Sequence, residues 1–100
     1  MPHLICYDIT NNSLRTRMSK KIIAKGFDRI NKSVYLGLGT QPTIQSLERE
    51  LSMMIQKKND PNDSLIIISV SHQQLQRMRI YGKNDLDKAE LLGEKSTLIL

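Results

Sequence analysis

An aspartate at the end of a short apolar run, followed by a cluster of cations, is the part of this sequence best suited to chemistry. Asp8 follows the apolar residues 4–7, and the polar turn 10–12 leads from it into a segment with five cations in eleven residues. A carboxylate at a strand end can reach a metal ion, and a basic surface beside it attracts phosphate. The pattern predicts a small metal-dependent protein that acts on nucleic acid, with Asp8 as catalytic residue and metal ligand.

Asp8 also has a purely structural interpretation. An aspartate after a strand is commonly a turn former or a helix N-cap, because its side chain accepts hydrogen bonds from nearby backbone amides. Asn11, Asn12 and Ser13 follow it and can serve as caps themselves. Asp8 is therefore not needed as a cap, which leaves the functional interpretation open.

The positive charge of this chain is concentrated near its N-terminus. Residues 13–32 contain seven cations against one acid, whereas residues 84–100 contain four acids and two lysines. A local concentration of basic charge attracts polyanions. A membrane surface is the alternative partner, but the basic segment 13–25 has no Trp or Phe to anchor it in lipid. The candidate nucleic-acid-binding residues are Arg15, Arg17, Lys20 and Lys21.

Composition predicts one globular domain spanning residues 1–100. The chain is 39% hydrophobic and 25% charged, which is ordinary for a folded protein, and no apolar run approaches the roughly 20 residues that span a bilayer. No signal-peptide pattern is visible at the N-terminus. The single Cys6 cannot form an internal disulfide. We therefore expect a cytoplasmic protein without a membrane association.

Hydrophobic periodicity predicts the elements that must position these residues. We expect strands at 4–9 and 65–70, a ribbon of two strands at 27–39 with a bulged junction near 31–32, and two helices. The first helix is capped by Asn12 and ends at Gly26, and the second begins at Pro42 and ends at Lys58. The resulting order is βαββαβ, which is the ferredoxin-like arrangement of the α+β class.

The last third of the chain adds to this arrangement. We expect a turn at 71–77, a strand at 78–81 and a further apolar strand at 97–100. A free apolar strand at a terminus would aggregate, so the last strand is expected to join a sheet edge, either its own or that of a second subunit. The strand at 65–70 is apolar at consecutive positions, which predicts a central place covered by helices or by another subunit.

Other chemistries have little support. His3, His72 and Cys6 do not form a zinc pattern, and no nucleophile triad is visible. The Gly-Leu-Gly segment 37–39 lacks the lysine of a P-loop. An RNA-recognition domain shares the βαββαβ order, but it needs exposed aromatic residues in a signature that this chain lacks.

Several segments occur in the order and spacing of a known family. They are Tyr7-Asp8-Ile9, Arg15 and Arg17, Gly26-Phe27, the segment 32–37, the segment 63–65 and Ile80-Tyr81-Gly82. In this combination the chain resembles the small CRISPR-associated proteins of spacer acquisition, the second of the two adaptation proteins. The resemblance covers nearly the whole chain.

The resemblance implies a ferredoxin-like sandwich with additional C-terminal strands that forms a symmetric homodimer, with residues 83–100 as an extension that packs at the dimer interface. It implies either a magnesium-dependent endonuclease or a scaffold that bridges two dimers of the CRISPR integrase. Two copies of Asp8 that meet across a two-fold axis would share one Mg²⁺. The turn after Asp8 is neutral here, where the family often has further acids, so we expect the metal to be weakly bound.

Three functional hypotheses follow. The first is a CRISPR adaptation protein that binds duplex DNA or RNA through its basic helix and hydrolyses phosphodiesters with a metal at Asp8. The second is a dimeric scaffold without activity that has duplex DNA and the integrase as partners. The third is a ribonuclease toxin of similar fold.

Overall fold

The computed structural model of this protein describes residues 1–82, so the predicted strand at 97–100 and the extension 83–100 lie outside the described residues. The described chain forms four strands and three helices. In chain order they are β1 (Pro2–Asp8), α1 (Asn12–Ala24), β2 (Asp28–Asn31), β3 (Val34–Leu38), α2 (Gln41–Lys58), β4 (Ser64–Ser69) and α3 (His72–Arg77).

The four strands form one antiparallel sheet in the order β2-β3-β1-β4. The strand β1 lies inside this sheet, with β3 on one side and β4 on the other. This order, with helices between the strands, is that of a ferredoxin-like βαββαβ sandwich, and the predicted fold class is confirmed. The C-terminal end of β1, where Asp8 lies, is consequently flanked by the turns that belong to its two neighbours.

One face of the sheet packs against α1 and α2. Strand residues alternate between faces, so Ile5 and Tyr7 of β1 point into this layer while Leu4 points away. The apolar side of α1 faces the same layer, since Leu14, Met18 and Ile22, at intervals of four residues, are fully buried. The helix α2 contributes Ile44, Leu47 and Leu51 in the same way.

The opposite face of the sheet, which we call the outer face, is only partly covered. Leu36, Val70 and Leu75 form a small cluster there, with Leu75 supplied by α3. On β4, Ile66 and Ile68 are 54% and 46% exposed, and this strand is an edge of the described sheet. The prediction that the strand at 65–70 is central is therefore wrong for the described protomer, because β4 forms an edge of the sheet. Its coverage by another subunit stays a prediction.

Three further details of the prediction are wrong. Residues 72–77 form the short helix α3 instead of a turn, because Ser71 and Gln74 make a complete capping box at its start. Residues 78–81 are not a strand, since no other described strand pairs with them. The N-cap of α1 is Asn11 rather than Asn12, with the Asn11 side chain accepting a hydrogen bond from the amide of Leu14 at 2.8 Å.

The predicted ribbon of two strands is confirmed as the antiparallel β2–β3 hairpin. Its register shifts between Arg29 and Asn31, which confirms an irregularity at the expected junction. Gly37 lets the hairpin close against the core, because a Cβ at this position would lie only 2.7 Å from the ring of Phe27. The shift in register leaves Arg29 opposite Tyr35 on the neighbouring strand.

A buried group of hydroxyls joins the sheet to α1. The hydroxyls of Tyr7 and Tyr35 are 2.9 Å apart, and that of Tyr35 donates to Ser19 at 2.8 Å. The Arg29 guanidinium donates from the edge of this group to Tyr35 at 3.0 Å and to Ser19 at 3.2 Å. We call Tyr7, Ser19, Arg29 and Tyr35 the hydroxyl network. It connects β1, α1, β2 and β3 at one point.

The hydroxyl network favours one protonation state for Tyr7 and one for Arg29. Burial, followed by the hydrogen bond with Tyr35, raises the pKa of Tyr7 to about 12, so this hydroxyl stays protonated at neutral pH. The hydrogen bond with Tyr35 raises the pKa of Arg29, which therefore stays charged. The described contacts of Arg29 in the network are made to hydroxyls, so no carboxylate of the network cancels its charge.

Tyr35→Phe should destabilise the protein, because it removes the one hydroxyl that Tyr7, Ser19 and Arg29 share. We expect a loss of about 1–3 kcal/mol in the free energy of unfolding, as for other buried polar groups left without partners. Urea denaturation followed by circular dichroism measures it. The matched control is Tyr81→Phe at an 86% exposed tyrosine, which should leave the midpoint unchanged. Equal midpoints for both variants would contradict the structural role of the network.

Candidate functional site

Asp8 is the last residue of β1 and is exposed, as the sequence predicted. The β1–β4 ladder ends there, with Asp8 opposite Ser64. The carboxylate therefore lies at an end of the sheet where a ligand can reach it from solvent. It is not the N-cap of α1, since Asn11 has that role. The structural interpretation of Asp8 as a cap is excluded.

The turn after Asp8 is held by contacts from both sides. The Thr10 amide donates to the Asp63 carboxylate at 2.9 Å, and Asn11 caps α1. On the α1 side, the Arg15 guanidinium donates to the carbonyl of Ile9 at 3.2 Å and contacts the Asn12 side chain. Arg15, a predicted phosphate-binding residue, is thus bonded to Ile9, which follows Asp8 in the chain. The link between Arg15 and Asp8 runs through the backbone of Ile9.

Arg15 also lines a pocket between α1 and the β2–β3 hairpin, with a volume of about 600 Å³. We call it the cationic pocket. Four of its lining side chains are cations, three carry hydroxyls and none is acidic. They are Arg15, Thr16, Ser19, Lys20, Arg29, Lys32 and Ser33. Clustered cations and hydroxyl donors without a competing carboxylate match the hydrogen-bonding needs of a phosphate group.

The hydroxyl network orients one cation of this pocket. Arg29 is exposed, but its Nε and Nη2 atoms are both bonded to the Tyr35 hydroxyl and its guanidinium lies 5.5 Å from the Tyr35 ring centre. Ser19, also in the network, forms part of the pocket wall. Arg29 is therefore held in place before any ligand arrives, whereas Lys20 and Lys32 are exposed side chains with no described ion pair.

The other two predicted phosphate-binding residues lie on a different side of α1. Arg17 and Lys21, one helical turn apart, line a separate groove of about 650 Å³ between α1 and α2. Lys21 is 3.7 Å from Glu50 of α2, and the two methionines 53 and 54 are also exposed to the groove. The structure therefore does not bring the four predicted cations together but divides them into two pairs.

Sequence reasoning missed Arg29 and Lys32 as members of the pocket. The missing step was the hairpin register, which puts Arg29 opposite Tyr35 and turns its side chain toward α1. Aromatic and cationic residues at facing positions of a predicted hairpin were the available signal. Ser19 was hidden for another reason, because a serine on a helix carries no pattern of its own.

Other sites have no support among residues 1–82. This part of the chain contains no group of three or more His, Cys, Asp or Glu side chains that could hold a metal. None of its helices is long and apolar enough to cross a membrane. The Gly-Leu-Gly segment lies at the end of β3 and is not a phosphate loop. Within the described part of one protomer, Asp8 therefore has no cluster of further protein ligands around it.

Comparison with solved structures supports the fold. The described sheet and helices resemble the crystal structure of Streptococcus pyogenes Cas2 at pH 6.5 with a TM-score of 0.69 and 20% identity, over 82% of this chain and 100% of that one. A hypothetical protein from Thermus thermophilus gives the same TM-score and identity over 85% of this chain and 94% of that protein.

Sequence comparison supports the family. This chain is 36% identical to a protein of Aeropyrum pernix named CRISPR-associated endoribonuclease Cas2 over 67 residues, which are 67% of this chain and 68% of that protein. A protein of the same name from Thermofilum pendens is 27% identical over 82 residues, covering 82% of this chain and 84% of that protein. The family model described as CRISPR associated protein Cas2 matches residues 1–78, and the chain belongs to this family.

Proposed function

We propose that this protein is a cytoplasmic nuclease of CRISPR adaptation that binds nucleic acid phosphates in the cationic pocket and hydrolyses a phosphodiester at Asp8 with a divalent metal. The observation that carries the proposal is the bond from Arg15 to the carbonyl of Ile9, which holds a pocket cation one residue from Asp8. This bond connects the turn that follows the candidate metal ligand to the wall of the cationic pocket. The family membership favours this function over the ribonuclease toxin.

The substrate class has support from the relatives. Two of them are named endoribonucleases, which makes RNA the first substrate to test. The pocket itself contains cations and hydroxyls, which recognise the phosphate and sugar that RNA and DNA share. We therefore propose phosphate recognition without base readout, and duplex DNA stays a candidate ligand.

The metal site fits Mg²⁺ by its donor type. Mg²⁺ usually keeps several waters and takes one or two carboxylates, so a single exposed Asp8 per protomer suits it. When bound, Mg²⁺ lowers the pKa of a coordinated water and offsets the charge that develops on the phosphate. Asp8 would hold the ion, and Arg15 and Arg29 would bind the phosphate. One carboxylate per protomer also predicts weak metal binding.

We further propose that two copies associate through the outer face and the β4 edge. Leu38, Ile66 and Ile68 are large apolar side chains that stay exposed on this face. An apolar patch next to an unpaired strand edge is characteristic of an interface rather than of a solvated surface. A symmetric dimer would bring a second Asp8 to the site, as the family resemblance implies.

The scaffold function is the second candidate. It is favoured by the single carboxylate and by the neutral residues Asn11 and Asn12, which both make hydrogen bonds within the turn or with Arg15 instead of binding a metal. The same cationic pocket and dimer would then bind duplex DNA and a CRISPR integrase without cleavage. The two functions differ in whether Asp8 is chemically required.

The first test concerns the phosphate contacts. Lys20→Gln combined with Lys32→Gln should flatten the salt dependence of duplex DNA affinity, because each lost contact lowers the slope by about 0.9. Fluorescence anisotropy across a salt series measures the slope, and the control is Lys25→Gln, an exposed lysine outside the pocket. An unchanged slope in the double variant would contradict the pocket assignment. A lower slope for Arg17→Gln with Lys21→Gln would show that the nucleic acid also contacts the α1–α2 groove.

The second test concerns Asp8. Asp8→Asn preserves the shape of the side chain but removes the metal ligand from every protomer, so metal-dependent cleavage of RNA or DNA should be abolished while salt-sensitive binding survives. Gel assays on both nucleic acids, with Mg²⁺ and with EDTA, measure it on protein free of host nucleases. Retained cleavage in Asp8→Asn would move the chemistry elsewhere. Inert wild type and variant together would favour the scaffold.

The third test concerns the dimer. Deleting residues 96–100 removes the apolar end of the chain, and Ile66→Lys with Ile68→Lys places charge on the exposed part of β4. Both changes should weaken self-association in sedimentation velocity, because they remove or interrupt apolar contact area. The control is Met53→Lys, which changes an exposed apolar residue on the helical side of the sheet. Unaltered association in both interface variants would exclude this interface.

A further inference from the structure

Asp63 connects two turns at the end of the sheet where Asp8 lies. It precedes β4 directly, and its Oδ1 atom accepts the hydrogen bond from the Thr10 amide at 2.9 Å. These residues are 53 positions apart in the chain, so the bond is a tertiary contact. It joins the turn after Asp8 to the turn before β4.

The position of this bond follows from the strand register. Asp8 and Ser64 are the last paired residues of the β1–β4 ladder. Beyond them the two backbones separate, and the Thr10 amide would have no acceptor on β4. The Asp63 carboxylate takes the place of the missing backbone carbonyl and extends the ladder by one charge-assisted hydrogen bond. The backbone on the C-terminal side of Asp8 is thereby fixed two residues from its carboxylate.

The second oxygen of Asp63 carries a cost. Its Oδ2 atom is buried and has no hydrogen-bond partner among the described residues. A buried carboxylate oxygen without a donor is unfavourable. The described hydrogen bonds thus satisfy only one of the two carboxylate oxygens of Asp63. Costs of this kind are typical of positions that serve a site.

We infer that Asp63 is a positioning residue for the metal site at Asp8. By holding the Thr10 amide it fixes the turn 9–11, and with it the direction of the Asp8 carboxylate and the place of the Arg15 guanidinium bonded to Ile9. The inference rests on the proposed metal-dependent function. In this role Asp63 contacts neither the metal nor the phosphate. It determines the positions of Asp8 and Arg15, which contact them.

The test compares three single variants of the full chain. Asp63→Ala removes the acceptor, whereas Asp63→Asn retains an oxygen that can accept from Thr10. Asp60→Ala is the matched control, because Asp60 lies in the same turn, has the same charge and accepts its bond from Asn62 instead. Charge loss is thus separated from loss of the Thr10 bond, since the asparagine and Asp60 variants each lose one charge.

The first measurement is the exchange rate of the Thr10 amide with water by NMR, with the Leu14 amide, bonded to Asn11, as internal reference. Asp63→Ala should accelerate exchange at Thr10 severalfold and leave Leu14 unchanged. The second measurement is Mn²⁺ affinity by calorimetry. Asp63→Ala should weaken it about tenfold, as for other residues that orient metal ligands. Asp63→Asn and Asp60→Ala should stay close to wild type in both measurements.

The outcomes separate this inference from the function on which it rests. Wild-type Mn²⁺ affinity in Asp63→Ala, with binding lost in Asp8→Asn, would overturn the positioning role and leave the metal site standing. Equal weakening in Asp63→Ala and Asp60→Ala would also overturn it, because charge alone would then explain the effect. Mn²⁺ binding that is absent in wild type or unaffected by Asp8→Asn would overturn the proposed metal site itself, and the positioning role with it.

Discussion

The Tyr35 hydroxyl is the point at which the sheet, the first helix and the cationic pocket depend on one another. It has three partners on three different elements: Tyr7 on β1, Ser19 on α1 and Arg29 on β2. A fully buried hydroxyl is costly unless it is bonded, so these four residues favour a single mutual arrangement. That arrangement determines the distance between α1 and the hairpin, and the pocket is the space left between them.

The strand β1 carries the second constraint, because its place inside the sheet exposes only its ends. Its alternate residues Ile5 and Tyr7 are committed to the core, which leaves Asp8 as the first side chain of this strand that is exposed to solvent. Arg15 and Asp63 then hold the turn that follows it, through their bonds to Ile9 and Thr10. A carboxylate at such a position is held by rigid elements and still accessible, a combination that suits metal-dependent chemistry.

The sequence was sufficient where local pattern and tertiary environment agree. The stripe of Leu14, Met18 and Ile22 has helical spacing and becomes the buried side of α1. The apolar run that precedes Asp8 forms β1, and Asp8 ends this strand. The sequence was insufficient where the outcome depends on a partner. Ile66 and Ile68 indicate burial, but both are about half exposed when residues 1–82 of one protomer are considered. The short helix α3 was missed although Ser71 and Gln74 form its capping box, because six residues are too few to show periodicity.

The residues of the candidate site also differ in whether local sequence is enough to predict them. Asp8 and Arg15 could be selected from local sequence, since Asp8 ends a strand and Arg15 lies in the first turn of a helix, four residues after the N-cap Asn11. The rest of the pocket depends on the pairing of Arg29 with Tyr35 across a hairpin whose register shifts by a residue. Register is set by packing and turn geometry, which a single sequence indicates only weakly. For the same reason the spacing of the α1 cations did not reveal that they face two different grooves.

The α1–α2 groove and the cationic pocket lie on two sides of α1, and comparing them shows how the hydroxyl network favours phosphate binding. Lys21 lies 3.7 Å from Glu50, and a phosphate that approaches it competes with a carboxylate already in place. Arg29 is held as firmly by Tyr35 and Ser19, but hydroxyls orient a guanidinium without cancelling its charge. An oriented and uncompensated arginine loses little side-chain entropy when it binds an anion. The neutrality of the network therefore makes the cationic pocket, rather than the α1–α2 groove, the stronger phosphate site on this helix.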